Sequence, residues 1–225
     1  MFEAEAEGLG ELARTRTVRV PEVEKVGIEN GKAFIAMERI EASRTESADA
    51  KLGEQLAKLH RTTASYFGWH RDNTIGLTPQ PNDPSKDWLT FFRERRLRYQ
   101  LDLLGIETSL LDRLAPFFEG HDPQPSLLHG DLWAGNWLTA TTGEPVIFDP
   151  ACYYGDREAD IAMTYLFGGF GPAFYAAYEA AWPLSPGHRE RRDLYNLYHV
   201  LNHANLFGGS YLRQARELIE RLNQS

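Results

Sequence analysis

The stretch that decides the fold runs from His129 to Asn136 and reads HGDLWAGN; an apolar run at 146–148 follows it and ends in Asp149. The spacing sets an aspartate and an asparagine five residues apart in a turn-rich loop, with a second aspartate at the end of a strand. Carboxylate and amide oxygens are the ligands that a hard divalent cation prefers. A carboxylate beside such a cation can accept the proton of a hydroxyl group. The segment therefore predicts a site at which a hydroxyl and a metal-bound phosphate meet.

An isolated Asp-x4-Asn most often only caps turns, so the surrounding sequence has to decide. His129-Gly130 precedes the aspartate, a strand-like run at 126–129 leads into the loop, and a hairpin returns the chain to Asp149. An acidic segment, GDREAD at 155–160, then opens a helix. Together these features indicate the arrangement found in phosphoryl-transfer enzymes of the protein-kinase type.

The segment from 126 to 149 forms a loop-and-strand insert between helices. On both sides of this insert, apolar periodicity predicts helices. They lie at Phe2–Arg14, Ser47–His60, Trp88–Leu103, Ser109–Glu119, Ala159–Phe167, Ala173–Trp182, Arg189–His203 and Ser210–Leu222. Strands are predicted at Val18–Ile28 and Ala33–Ile40, joined by an Asn30-Gly31 hairpin turn, and in short runs at 126–129, 137–140 and 146–148. Residues 66–86, rich in turn formers, are predicted to be a long loop. The fold class is α+β, with a helix-plus-hairpin piece at 1–43 and a mainly helical piece at 44–225.

Charge and composition exclude several classes of protein. The chain has 24 basic and 32 acidic residues, a net charge of −8, which argues against nucleic acid as a partner. Cys152 is the single cysteine, so an internal disulfide is excluded, and we interpret it as a packing residue. The acidic start is unlike a signal peptide, and no run is long enough to suggest a membrane span. We expect a soluble cytoplasmic protein without a membrane partner; the sequence carries no clear oligomer signal.

These motifs, with others along the chain, resemble those of the fructosamine kinases (ketosamine-3-kinases), in the aminoglycoside-phosphotransferase-like branch of the protein-kinase-like fold. The matching text is MFEAEAEGL at 1–9, LHGDLWAGN at 128–136, IFDPACYYGDREADIAM at 147–163, LFGGF at 166–170 and LYHVLNHANLFGGSY at 197–211. The resemblance implies a two-lobe fold, the cofactors ATP and Mg²⁺, and a small-molecule ketosamine substrate such as fructoselysine. The implied reaction is phosphorylation of the sugar 3-hydroxyl, which serves protein deglycation.

The resemblance also implies roles for individual residues. Asp131 would be the catalytic carboxylate, and Asn136 and Asp149 would hold Mg²⁺ against the nucleotide phosphates. The strand that ends in Glu38-Arg39-Ile40 would be the hinge, where backbone groups meet adenine. Glu5 is our choice for the helix glutamate that pairs with a phosphate-binding lysine; Glu3 and Glu7 compete with it, and a solvated acidic face would explain all three.

Other residues near the motif remain open to two interpretations. Trp133 could stack on a sugar or serve as a packing anchor. Asp160 is expected to brace the catalytic loop by hydrogen-bonding to the backbone of that loop. His129 is expected to be a buried hydrogen-bonding residue. His203, with Asn202 and Asn205, could line the substrate cleft or serve helix packing.

The sequence departs from the family pattern at its start. No glycine-rich loop precedes the first helix, and neither Lys25 nor Lys32 stands ahead of the glutamate helix in sequence order. We therefore expect a truncated N-lobe and, for the 225-residue chain, weak or absent kinase activity. Two alternatives stay open: a kinase-like phosphotransferase for another small molecule, such as an aminoglycoside or choline, and an inactive truncated homologue.

Overall fold

The N-terminal part is a helix followed by a β-hairpin, as the sequence predicts. A computed structural model describes residues 1–43 and 47–224. Helix α1 spans Phe2–Arg14, and strands β1 (Val23–Glu29) and β2 (Lys32–Met37) pair antiparallel. Asn30 and Gly31 both have positive φ, 51° and 77°, which is the backbone of a tight hairpin turn. Strand β1 starts five residues later than predicted, because Val18 is buried and Arg19 instead bridges to Val146.

Helix α2 spans Asp49–His60, and a second hairpin lies in the segment predicted to be a loop. Its strands are β3 (Asn73–Ile75) and β4 (Thr78–Gln80), paired antiparallel. The prediction of an unbroken loop over 66–86 was therefore wrong. These strands have three residues each, and buried polar side chains such as Asn73 and Gln80 stabilise them, so they lack the apolar alternation that signals a strand.

The next helical stretch contains a π-helical segment. Helix α3 (Trp88–Phe91) continues into the π-helix at Phe92–Arg98 and then into α4 (Tyr99–Leu104). The predicted helix at 109–119 is instead two short 3₁₀ segments, Ser109–Arg113 and Ala115–Phe118. Pro116 lacks an N–H group and cannot continue an α-helix that starts before it, which explains the break.

The insert around the HGD motif is built from four short strands: β5 (Ser126–Leu128), β6 (Trp137–Thr139), β7 (Pro145–Ile147) and β8 (Tyr153–Gly155). Strand β5 pairs with β8, which the sequence did not predict, and β6 pairs with β7. Trp137 lies opposite Ile147 in the β6–β7 hairpin. This register brings Asp149 back to the end of the loop that holds Asn136.

Four helices complete the chain: α5 (Glu158–Leu166), α6 (Pro172–Ala181), α7 (His188–Phe207) and α8 (Gly209–Gln224). They confirm the predicted helices, although α7 runs four residues further than expected. The α7–α8 break falls on Gly208 and Gly209, which have φ of 61° and 56°. Residues other than glycine rarely adopt a positive φ, so the Gly-Gly pair lets the chain turn there.

Two clusters of buried side chains form the core. One surrounds the aromatic residues of α3 and the inner face of α7, with Trp88, Phe91 and Tyr195 among its members. The other joins Leu12 of α1 and Val18 to helices α2 and α6 and to the insert. The partition into 1–43 and 44–225 stays a prediction, and residues 44–46 at its boundary lie outside the described residues. Within the described ranges, no helix is both long and apolar enough to cross a membrane.

Candidate active site

A cleft of about 480 Å³ lies where α1, the β1–β2 hairpin and the tip of the β3–β4 hairpin face the insert. Its lining includes the carboxylates and the amide that the sequence analysis selected. The lining residues are Met1, Phe2, Ala4, Glu5, Ile35, Met37, Asn73, Thr74, Gly76, Leu77, Asp131, Trp133, Asn136, Asp149, Pro150 and Ala151. The structure thus brings the five predicted residues Glu5, Asp131, Trp133, Asn136 and Asp149 to one cavity.

Asp131 and Asn136 are linked directly across the catalytic loop. The side-chain amide nitrogen of Asn136 donates to the backbone oxygen of Asp131 at 2.9 Å and to its carboxylate at 3.3 Å. A 3₁₀ turn at Ala134–Asn136 closes the loop and sets this distance. Because the nitrogen is used within the loop, the amide oxygen of Asn136 is the atom available to a cation.

Asp160 on α5 braces the start of this loop. Its two carboxylate oxygens accept the backbone N–H groups of His129, at 2.7 Å, and Gly130, at 2.8 Å. His129 is fully buried, its Nε2 lies 2.9 Å from the backbone oxygen of Phe148, and its Nδ1 accepts the N–H of Asp131 at 3.3 Å. Both residues therefore contact backbone rather than the cavity, and their supporting roles stay predictions.

Asp149 sits in an uncommon backbone conformation, with φ of 56°. Aspartate tolerates the left-handed region better than most residues, and such conformations cluster at functional sites. The segment that follows is anchored from β3 and β4: Asn73 donates to the oxygen of Cys152 at 2.8 Å, and Gln80 to that of Ala151 at 3.1 Å. This buried anchoring holds the strained turn in place.

Three carboxylates, those of Glu5, Asp131 and Asp149, line the cleft. Burial, and secondly the charge of Asp160, raise the pKa of Asp131 to about 7. Burial and the neighbouring Asp149 raise the pKa of Glu5. No lysine or arginine lines the cleft among the residues that the structure describes. Three carboxylates and an amide oxygen without a cationic side chain form a donor set that fits a divalent cation.

The competing glutamates of α1 separate clearly. Glu7 forms ion pairs with His70 at 3.1 Å and with Arg71 at 2.8 Å, outside the cleft lining, and Glu3 is exposed. Glu5 is the member of this set that lines the cavity. The structure therefore places Glu5, rather than Glu3 or Glu7, beside the predicted metal ligands.

The predicted hinge residues Glu38, Arg39 and Ile40 are not among the lining residues, but they follow a strand that borders the cleft. Met37 and Ile35 of β2 line it, and the next residue, Glu38, pairs its side chain with Arg19 and its backbone N–H with Glu22 at 2.7 Å. Arg39 and Ile40 follow β2 directly, with Ile40 partly buried. The adenine-binding roles of Glu38, Arg39 and Ile40 stay predictions.

Trp133 and the α7 residues behave differently from one another. Trp133 is 39% exposed and packs edge-on against Phe167, with ring centroids 6.0 Å apart. Behind that ring, His203 packs 5.2 Å from Phe167, and its Nδ1–H donates to the backbone oxygen of His199 at 2.7 Å. Asn205 bonds to Gln100, which fits the packing interpretation for the α7 residues.

Sequence reasoning missed the contribution of the β3–β4 hairpin. Asn73, Thr74, Gly76 and Leu77 all face the cleft, and Asn73 also anchors the turn after Asp149. The signal available in the sequence was the Gly76 turn between two short runs, which the abundance of prolines in the surrounding loop obscured.

Comparison with known proteins identifies the family of this chain. The Fructosamine kinase family profile matches residues 1–225. A candidate ketoamine kinase of Synechocystis is 46% identical over 98% of this chain and 78% of its own length. The chloroplastic protein-ribulosamine 3-kinase of Arabidopsis thaliana is 46% identical over 98% of this chain and 71% of its own length. A solved structure of a candidate fructosamine-3-kinase from Haemophilus somnus superposes with a TM-score of 0.92 at 34% identity, covering 99% of this chain and 79% of that one.

This chain therefore belongs to the fructosamine kinase family. The family assigns it to the ATP-dependent phosphotransferases and to the kinase-like fold. A choline/ethanolamine kinase family protein from Mesorhizobium loti, 17% identical with a TM-score of 0.58, shares that fold alone.

Proposed function

We propose that this chain transfers the γ-phosphoryl group of ATP to the 3-hydroxyl of a ketosamine such as fructoselysine, as a step in the removal of sugar adducts from amines. The observation that carries the proposal is the convergence of Asp131, Asn136 and Asp149 on one cleft. The names of the relatives, ketoamine kinase and protein-ribulosamine 3-kinase, support the acceptor class.

In this proposal Asp131 is the proton acceptor. The hydroxyl oxygen of the acceptor forms a bond to the γ-phosphorus, the bond from that phosphorus to the β-phosphate oxygen breaks, and ADP leaves. The hydroxyl proton passes to the Asp131 carboxylate, whose pKa of about 7 suits proton transfer near neutral pH. Asn136 holds the carboxylate in place through its 3.3 Å hydrogen bond.

Asn136 and Asp149 are the residues that would hold Mg²⁺, with Glu5 close to them across the cleft. When bound, the ion supplies positive charge that neutralises the nucleotide phosphates and the charge developing during transfer. The excess of carboxylates in the cleft supports this assignment, because their mutual repulsion is relieved when a cation binds.

Trp133 is proposed to contact the acceptor. Its ring lies two residues after Asp131 and is partly exposed at the cleft. A ketosamine carries a protonated secondary amine close to its sugar hydroxyls, and aromatic faces attract such cations. Trp133 can therefore orient the acceptor while still packing against Phe167.

The test is ADP release by the 225-residue chain with ATP, Mg²⁺ and fructoselysine, and phosphorus NMR to locate the phosphate on the sugar. We expect weak but ketosamine-dependent ADP release, which Asp131→Asn abolishes. Asp122→Asn, which changes an exposed aspartate away from the cleft, is the matched control and should leave the rate unchanged.

Equal rates for the wild type and Asp131→Asn would show that Asp131 is not catalytic. Phosphorylation of choline or an aminoglycoside, with none of fructoselysine, would replace the acceptor class. Loss of the reaction on chelation of divalent cations, and its return with added Mg²⁺, is the expected result for the metal.

A further inference from the structure

The support of the catalytic loop does not end at Asp160. One of its carboxylate oxygens, which accepts the His129 N–H, also lies 3.1 Å from Nε2 of His60 at the end of α2. The other ring nitrogen of His60, Nδ1, lies 2.7 Å from the hydroxyl of Tyr178 on α6. That hydroxyl in turn lies 3.0 Å from a guanidinium nitrogen of Arg157. All of these side chains are buried.

The donor and the acceptor of each hydrogen bond in this series of side chains follow from its last member, Arg157. Arginine is a donor only, so the Tyr178 oxygen accepts from Arg157. The single Tyr178 proton is then free to point at His60, whose Nδ1 accepts it. Burial lowers the pKa of His60, so the ring is neutral and carries its proton on Nε2. That N–H is the group that donates to Asp160.

We propose that Arg157, Tyr178 and His60 form a positioning relay: they fix the tautomer of His60, which fixes the Asp160 carboxylate that holds the backbone amides of His129 and Gly130. The relay acts through Asp160 and touches neither nucleotide nor acceptor. It rests on the proposed function only for its effect on rate, because its effect on the loop backbone can be measured without turnover.

Arg157 is itself held rigidly, which makes it a suitable end for the relay. It donates to the backbone oxygens of Trp182 and Pro183, and its guanidinium stacks 4.0 Å from the Trp182 ring. These contacts fix Arg157 to the residues that follow α6. Asp160 of α5 then makes the final contact with the catalytic loop. Because the Tyr178 hydroxyl lies between Arg157 and Nδ1 of His60, its removal should loosen the loop without emptying the core.

The decisive variant is Tyr178→Phe, which removes only the hydroxyl. Tyr175→Phe is the matched control: it lies one turn earlier on α6, and its hydroxyl bonds to Thr164, not to the relay. We expect Tyr178→Phe to lower kcat by about tenfold with KM values within about twofold, because a slight misplacement of Asp131 affects the reacting geometry more than binding. Tyr175→Phe should match the wild type.

A second pair of variants tests His60. The amide nitrogen of glutamine can replace the Nε2–H donor, whereas leucine removes it while keeping the volume similar. We expect His60→Gln to retain several-fold more activity than His60→Leu at equal folded fraction. A role in core packing alone would give the opposite order, because leucine fills an apolar site better than glutamine.

Amide hydrogen exchange at His129 and Gly130 separates failure of the relay from failure of the proposed function. We expect exchange of these two amides to accelerate at least about tenfold in Tyr178→Phe, and not in Tyr175→Phe, with amides of α7 unchanged. Unchanged exchange at these two amides overturns the relay whatever the activity is. If exchange accelerates in Tyr178→Phe but the wild type releases no ADP, the result supports the relay and counts against the proposed function.

Discussion

At the scale of single residues, the raised pKa of Asp131 lowers the free energy of unfolding at neutral pH. Its pKa of about 7 in the folded protein lies well above the ordinary aspartate value, chiefly because it is buried. The unfolded chain ionises at lower pH, so folding is disfavoured progressively as the pH rises from about 4 to about 7. The cost reaches about 4 kcal/mol above that range and is about 1–2 kcal/mol at pH 5.

Asp131→Asn should therefore stabilise the ligand-free protein while removing the carboxylate that is proposed to be catalytic. The uncharged amide has the same shape, so the unfolding midpoint should rise more at pH 8 than at pH 5. Thermal unfolding at the two pH values measures this. The same change in Asp122→Asn, or a lower midpoint in Asp131→Asn at pH 8, would contradict the prediction.

Gly130 is required by both conformation and space. Its φ is 83°, and a Cβ atom there would lie 2.1 Å from the backbone oxygen of Ala151. Gly130→Ala should cost about 3–5 kcal/mol, the sum of left-handed strain and of a steric clash that only backbone movement can relieve. Gly120→Ala is the control, because Gly120 has a φ of 70° with nothing within 4 Å of its Cβ position, and should cost only about 1–2 kcal/mol. Equal losses in chemical denaturation would show that the contact with Ala151 is unimportant.

At the scale of elements, the π-helical segment after α3 places a buried arginine beneath the cleft. The Arg96 side chain donates to the oxygen of Pro81 at 2.7 Å and to Asn82 at 2.8 Å, and lies 4.0 Å from the Tyr153 ring. Asn82 bonds in turn to Asn73, the residue that anchors the turn after Asp149. The guanidinium thus connects this helix to the backbone that positions a predicted metal ligand.

Arg96→Lys should destabilise the protein by about 2–4 kcal/mol, because an ammonium cannot make the forked donation or stack on the rings. Arg95→Lys, one residue earlier, keeps a surface pair with Asp83 and should stay within about 0.5 kcal/mol of the wild type. Urea denaturation of the two variants provides the comparison. Similar losses would mean that the buried contacts of Arg96 contribute little.

At the scale of the whole molecule, residues from the N-terminal hairpin and from the helical part both line the cleft, so we expect a bound nucleotide to contact both. A ligand that binds only the folded state stabilises it by about 2.7 kcal/mol at a hundred times its Kd. We expect ATP with Mg²⁺ to raise the unfolding midpoint by roughly 5–10 °C, from about 2–4 °C per kcal/mol for a chain of this size.

Asp149→Asn should reduce this shift strongly, because it removes a carboxylate proposed to bind the metal while keeping a residue that tolerates positive φ. Chelation of divalent cations should reduce the shift in the wild type to a similar level. Differential scanning fluorimetry measures both. A full shift in Asp149→Asn would count against its proposed role.

The sequence by itself determined most of the helices, the first hairpin and the motif that selects the cleft, but not the two 3₁₀ segments in 109–118. These follow from local causes: apolar periodicity, Asn30-Gly31 at a turn, and the fixed spacing of Asp131, Asn136 and Asp149. Sequence patterns also identified the family that the comparisons confirmed.

Only the tertiary structure decided which residues surround that motif. The choice of Glu5 over Glu7, the hairpin of Asn73 and Gln80, and the link from His60 to Asp160 all join residues far apart in the chain. A buried polar side chain shows no periodic signal, because what satisfies it is a partner dozens of residues away. The residues proposed to react could therefore be predicted from local sequence, whereas the contacts that hold them in position could not.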